Sequence, residues 1–210
     1  MMYVPGHFRR EDRGAAVALI RANPFATVLS AGAAPSISYL PCVILETEPV
    51  LKIAAHFARA NPHWKHVESA GATLLFHGPH GYVSAGWYTA PHRDVPTWNY
   101  AVVHVHASAV LVGESQTREI VELLTREFEG DGPDAWTVDS AEEDYIATQL
   151  RGIVGVHFTA TEIDAKFKLS QNRSADDRAG ALRGLRATGR ESDASLADLM
   201  DHMSKPPFTV

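Results

Sequence analysis

"VPTWNYAVVHVHASAV", Val95–Val110, decides how the chain is read. Its β-branched and aromatic content marks a strand, and the two-residue period of a strand puts His104 and His106 on one face. A Thr-Trp-Asn-Tyr block opens that strand directly after a turn. Shorter runs of the same kind precede it: "FATVLS", "SISYLPCVIL", "VLKIAAHF", "ATLLFHG" and "GYVSAGWY". Gly, Pro and acidic turn signals separate them, and "IVGVHFTATEIDAKFKLS" adds a last long strand. The spacing is that of a meandering antiparallel sheet or small barrel.

Helical signals flank and interrupt these runs. Asp12 is placed to cap a helix whose apolar side is Ala16, Val17, Leu19 and Ile20, and Asn23-Pro24 ends it. Asn61-Pro62 starts a second helix that closes near Gly71. "SQTREIVELLTREFEG" sets Ile120, Val121, Leu124 and Phe128 on one face, with Gly130 as its stop. Ser140 and Glu143 have capping-box spacing ahead of Ile146 and Leu150, and Ser174 with Asp177 repeats it ahead of two polar helices. The prolines of "SKPPFTV" end the last of these. The expected fold class is mainly β with flanking helices (α+β), as one domain over residues 1–210 with a helical part at about 172–205.

Composition narrows the function classes. With 19 basic and 25 acidic side chains the net charge is −6, so no global positive field draws the protein to nucleic acid, although arginines do gather between Arg173 and Arg190. No apolar run approaches a membrane span, the first residues lack a signal-peptide core, and the single Cys42 has no intramolecular disulfide partner. A cytoplasmic protein without a membrane partner is the expectation. Strict strand–helix alternation, a Gly-rich nucleotide loop and a G-x-S-x-G elbow are all missing from the sequence, which argues against Rossmann, P-loop and serine-hydrolase chemistry.

Three stretches carry candidate chemistry. In "HFARANPHWK", His56–Lys65, Arg59 stands at a helix entrance, and a forked cation beside free amides suits a phosphate; a solvated Arg59 and a merely capping Asn61 are the other reading. In "FHGPHGYVSAGWYTAPHRDVPTWNY", Phe76–Tyr100, aromatics with polar edges on irregular backbone suit a flat conjugated ligand or a wet subunit interface. Trp87, Thr97, Trp98 and Asn99 are the densest part of it. In "FKLSQNR", Phe167–Arg173, Lys168, Ser170, Gln171 and Asn172 form a set of donors beyond what the capping Ser174 requires. No histidine spacing matches a zinc site, so no metal is expected; a single axial histidine would suffice for haem and leaves no spacing signature.

The motifs "YVPGHF", "HFARANPHW", "FHGPHGYVSAGWY", "VPTWNYAVVH" and "FKLSQNR" together resemble the PaiB-like FMN-binding negative transcriptional regulator family, from Met2 to about Leu185. The resemblance implies a flavin-reductase-like antiparallel split β-barrel that dimerises with itself and binds FMN at the subunit interface. It implies Arg59 with Asn61 at the flavin phosphate, and His56 and Ala58 along the flavin edge. From the partner subunit it implies Trp87, Thr97, Trp98 and Asn99 against the ring or ribityl chain; Lys168, Ser170 and Gln171 are assigned a further polar contact, with neither subunit specified. His104 and His106 receive no role. Gene repression and DNA binding follow from the resemblance alone, since no basic recognition helix is visible. A flavin-dependent reductase or oxidase acting on a small substrate and a haem-binding split barrel are the competing functions.

Overall fold

The computed structural model describes residues 2–32 and 34–203; the "SKPPFTV" stop lies outside them. Asp12 does cap the first helix, α1 (Arg13–Ala22), its Oδ1 accepting from Gly14 N at 2.9 Å, and Ala16, Val17, Leu19 and Ile20 are all buried. The strands β1 (Phe25–Ser30), β2 (Ser36–Pro41), β3 (Val43–Glu46) and β4 (Lys52–Ala58) follow, then the seven-residue helix α2 (Trp64–Ala70). Cys42 separates β2 from β3; burial pushes its thiol up to about 12, which fits a structural thiol.

The strand β5 (Ala72–Val83) corrects the expectation of a turn at Gly78-Pro79. A proline removes one ladder donor, which a strand tolerates where it has no neighbour on that side. Here β1 pairs with β5 only at Thr73, Leu74 and Leu75, so Pro79 lies beyond its reach. A Cβ on Gly78 would lie 2.8 Å from a Leu19 methyl and 3.1 Å from the Ala101 carbonyl oxygen, so the glycine marks close backbone approach.

The opening stretch forms β6 (Thr97–Leu111), with Asn99, Ala101, Val103, Val105, Ala107 and Ala109 buried and the alternate positions half-buried or exposed. His104 and His106 share the second face, as the period requires. Helix α3 (Glu114–Glu129) buries Ile120 and Leu124 against Val43 and Ala54, but Phe128 in its last turn is 61% exposed, against expectation. Helix α4 (Glu143–Leu150) packs Ile146 and Leu150 on Val138. Its expected cap is elsewhere: Ser140 makes a reciprocal box with Thr137 on the preceding short turn, and Glu142 stands at the α4 cap position. Strand β7 (Ile153–Lys168) and helices α5 (Ala175–Ala187) and α6 (Glu191–His202) complete the chain, and Ser174 Oγ accepts from Asp177 N as its spacing predicts.

The sheet order is β2-β1-β5-β6-β7-β4-β3. Its registers are antiparallel, from Phe25↔Pro41 between β1 and β2 to Ala58↔Ile153 between β4 and β7. The chain resolves into two compact units, the described residues of Met1–Leu19, His77–Val103 and Asp164–Val210, and those of Ile20–Phe76 and His104–Ile163. In the first, Leu185 and Leu196 approach Gly81 from α5 and α6. In the second, Phe57, Phe76, Phe158 and Leu74 are among the large side chains fully removed from water, each worth about 1.5–3 kcal/mol of burial. Among the described residues no helix is long and apolar enough to cross a membrane.

Candidate functional site

The candidate residues fall into two clusters, one in each compact unit. In the second unit, β4 delivers His56 and Ala58 to the loop that carries Arg59 and Asn61. Arg59 N donates to Gly152 O at 2.8 Å, and Trp64 Nε1 donates to Arg59 O at 2.9 Å, so the backbone is held from both sides. The exposed Arg59 guanidinium is also braced: Nε donates to Arg151 O at 2.7 Å and Nη2 to Ile153 O at 2.8 Å. Its planar fork is thereby fixed in direction, with Nη1 making no hydrogen bond among the described residues.

Asn61-Pro62 does not open the helix as expected: α2 starts at Trp64, its cap position is His63 without a side-chain cap bond, and Asn61 instead closes a turn ahead of it, its Oδ1 accepting from His63 N at 3.0 Å while its Nδ2 donates to Ser38 Oγ at 2.9 Å. Helix α2 begins only at Trp64, so its short dipole adds little, and a phosphate here depends chiefly on Arg59. His56 is half-buried, and burial lowers its pKa. Its Nδ1 is buried without a hydrogen-bond partner among the described residues. Ala58 is exposed beside it on β4.

In the first unit, Trp98 is 48% exposed, with its ring 5.9 Å from that of His80 in a stacked arrangement and 6.5 Å from that of Tyr82 edge-on. Lys168 Nζ donates to Thr97 Oγ1 and to Trp98 O, tying the end of β7 to the start of β6. Burial is the first cause that pulls the Lys168 pKa below its ordinary value, with Lys166 and Arg173 adding to it against an opposing pull from Tyr100. Asn99 is fully buried; its Nδ2 donates to Ser170 Oγ at 2.8 Å and reaches Met200 Sδ at 3.5 Å, while Oδ1 has no partner among the described residues. Whichever way the amide is turned, one of its two heads is unsatisfied.

Ser170 adopts φ 61°, a left-handed conformation that costs a non-glycine residue about 1–2 kcal/mol. Gln171, although exposed, is folded back on the backbone, its Oε1 accepting from Leu169 N and its Nε2 donating to His7 O and Phe167 O. Trp87 lies against α5, where Gly180 and Gly184 make room for it. Trp98 therefore presents its ring at the surface and Thr97 and Lys168 are half-buried against each other, whereas Asn99, Ser170, Gln171 and Trp87 hold the strand ends and α5 in place.

Some site neighbours carry little sequence signal. Ser30, Ser38 and His63 form a buried polar chain behind Asn61, and only the alternation of β1 and β2 hints that two serines face inward. Arg173 pairs with Asp94 and stacks over Tyr88 at 4.7 Å, so this member of the arginine-rich tail is committed within the fold. Arg186 with Asp198, and Arg190 with Asp193 at 4.0 Å, are likewise paired.

Taken separately, the fixed exposed cation of the second unit suits a phosphate, and the exposed indole of the first suits a flat ring. The comparisons agree. The family described as "Putative FMN-binding domain" matches residues 2–162. The protease synthase and sporulation protein PAI 2 of Bacillus subtilis is 30% identical over 208 residues, covering 97% of this chain and 99% of its own. Two solved structures share the fold. The flavocytochrome Anf3 of Azotobacter vinelandii has a TM-score of 0.60 at 17% identity, over 79% of this chain and 72% of its own. An FAD and heme binding protein of Mycobacterium smegmatis has a TM-score of 0.60 at 14% identity, over 82% and 79%. The chain therefore belongs to the PaiB-like family of FMN-binding split-barrel proteins, and its cofactor is FMN.

Proposed function

We propose that the protein is a cytoplasmic FMN-binding homodimer of regulatory type, each chain a single split-barrel domain. In this reading Arg59 grips the flavin phosphate and His56 and Ala58 line the flavin edge. The partner subunit brings Trp98 against the ring, with Thr97 and Lys168 beside it. Asn99, Ser170, Gln171 and Trp87 brace that second half, and Asn61 braces the first. The observation that carries the reading is the exposed Arg59 guanidinium, aimed by two backbone carbonyls and a doubly anchored loop. A pre-set cation binds phosphate without first ordering its own side chain.

The regulatory part is supported by the family likeness and by the Bacillus subtilis relative, named as a protease synthase and sporulation protein. A net charge of −6 and the internal pairing of Arg173, Arg186 and Arg190 favour control through the flavin and a protein surface over a basic DNA-reading helix. Direct DNA binding would appear as a salt-dependent mobility shift.

Titration of Arg59→Ala with FMN and with riboflavin, followed by flavin fluorescence, tests the site. Losing a charge-assisted contact to phosphate should weaken FMN about ten- to hundredfold and leave riboflavin nearly unchanged. Equal losses for both ligands would remove Arg59 from the phosphate.

A further inference from the structure

Behind Asn61 runs a chain of polar groups that ligand binding does not by itself require. His63 is 2% exposed, yet both ring nitrogens are engaged, Nδ1 at 2.8 Å from Ser38 Oγ and Nε2 at 2.9 Å from Ser30 Oγ. The heavy atoms do not show the tautomer, but the end of the chain fixes it. Ser30 Oγ lies 2.6 Å from the Gly71 carbonyl oxygen, which only accepts. The single Ser30 proton therefore goes to Gly71, and Ser30 accepts from His63 Nε2–H. A neutral ring then presents a bare Nδ1, so Ser38 donates to it. With its proton committed, Ser38 accepts from Asn61 Nδ2, as found.

The order is Asn61 to Ser38 to His63 to Ser30 to Gly71, each donor meeting one acceptor. Asn61 is held at its other end by His63 N, and Asn61 N donates to Ala58 O at 2.9 Å. The loop that carries Arg59 is thus tied to β1, β2 and the end of α2 through one imidazole. A protonated His63 would place a hydrogen on Nδ1 and leave the Ser38 proton without an acceptor. Burial, and after it His66 stacked at 5.4 Å on the same helix, disfavour that form; β1, β2 and β4 present the uncharged Ser30, Ser38 and Phe57.

We propose that His63 is the positioning residue of the flavin-phosphate loop, acting through Ser38 and Asn61 to hold Ala58–Asn61 so that Arg59 meets the phosphate. The proposal rests on the reading that Arg59 grips phosphate. A buried histidine that only supported the fold would affect stability, and would alter FMN and riboflavin binding alike.

The full-length wild type, Ser38→Ala and Ser38→Thr are titrated with FMN and with riboflavin. Ser38→Ala should lose about tenfold in FMN affinity, the scale of one buried hydrogen bond, with riboflavin changed less than about twofold. Ser38→Thr, which keeps the hydroxyl, should recover most of the FMN affinity. A wild type that prefers FMN, together with a Ser38→Ala protein that keeps the same preference, overturns the positioning role and leaves the phosphate reading standing. A wild type without any preference removes the phosphate reading, and the positioning role with it. Nitrogen NMR of wild-type His63 is the second measurement and needs neither a variant nor flavin. A proton on Nε2 supports the chain, and a proton on Nδ1 overturns it.

Discussion

Gly180 and Gly184 lie one turn apart on α5, and both face Trp87. A Cβ built on Gly180 would stand 2.0 Å from the Trp87 carbonyl oxygen; one built on Gly184 would stand 2.1, 2.4 and 2.6 Å from three atoms of the indole. In an unpacked helix, Gly→Ala stabilises by about 1 kcal/mol. Against that gain, overpacking costs about 1–3 kcal/mol, and contacts this deep belong at the upper end of that range. About 3 less about 1 leaves a net loss of about 2 kcal/mol for Gly184→Ala, or about 4–8 °C in Tm for a chain of this size. Gly180→Ala should lose more, because the obstructing atom is backbone and cannot rotate away. Thermal melts followed by far-UV circular dichroism measure both. A double-mutant cycle isolates the cause: in a Trp87→Ala background the indole is gone, and Gly184→Ala should become stabilising by about 1 kcal/mol. A rise in Tm for Gly184→Ala alone, or a cycle without coupling, would refute the packing argument.

The remaining predictions concern pH and the Asn99 brace. His56, His63 and His157 all have pKa values lowered below the ordinary 6.5, burial being the first cause in each. Below pH 6.5 the unfolded chain takes up protons that the folded chain refuses, so this contribution to stability is fully present above 6.5 and is lost as pH falls through the folded values. Urea titrations between pH 8 and pH 5 should show a falling midpoint, and a midpoint that rises on acidification through that range contradicts the assignment. At the second cluster, Ser170→Ala strands the buried Asn99 amide and keeps the left-handed φ, for a loss of about 1–3 kcal/mol. Ser170→Gly makes the same break but relieves the φ, so denaturation should rank it more stable than Ser170→Ala; the reverse order would sink the strain argument.

The sheet was legible because its signals are local. Alternation in Thr97–Leu111 and Ile153–Lys168 fixes two long strands, and Asp12, Gly130 and Ser174 mark helix ends through single hydrogen bonds or a positive φ. Pro79 was misleading because a proline's meaning depends on which neighbour lies beside it, and strand pairing is not written in the local sequence. Ser140 was misleading for a related reason: two short turns compete for the same cap, and Thr137 takes it. At the site, motif positions located the loop and the Trp98 segment. They did not show that the Asn61, Ser170 and Gln171 side chains are spent on other groups of the chain, nor that Ser30, Ser38 and His63 stand behind the loop. Those roles depend on hydrogen bonds between residues 23 to 164 positions apart.

The most direct test of the account is subunit complementation. Arg59→Ala and Trp98→Ala chains, each weak in FMN binding alone, are unfolded, mixed in equal amounts, refolded and titrated with FMN. If one subunit supplies Arg59 and its partner supplies Trp98, half the dimers are mixed and each mixed dimer holds one intact site. Wild-type affinity should then return at about one site in four. If the mixture binds no better than its components, both halves of the site belong to one chain, and the shared-site account is wrong.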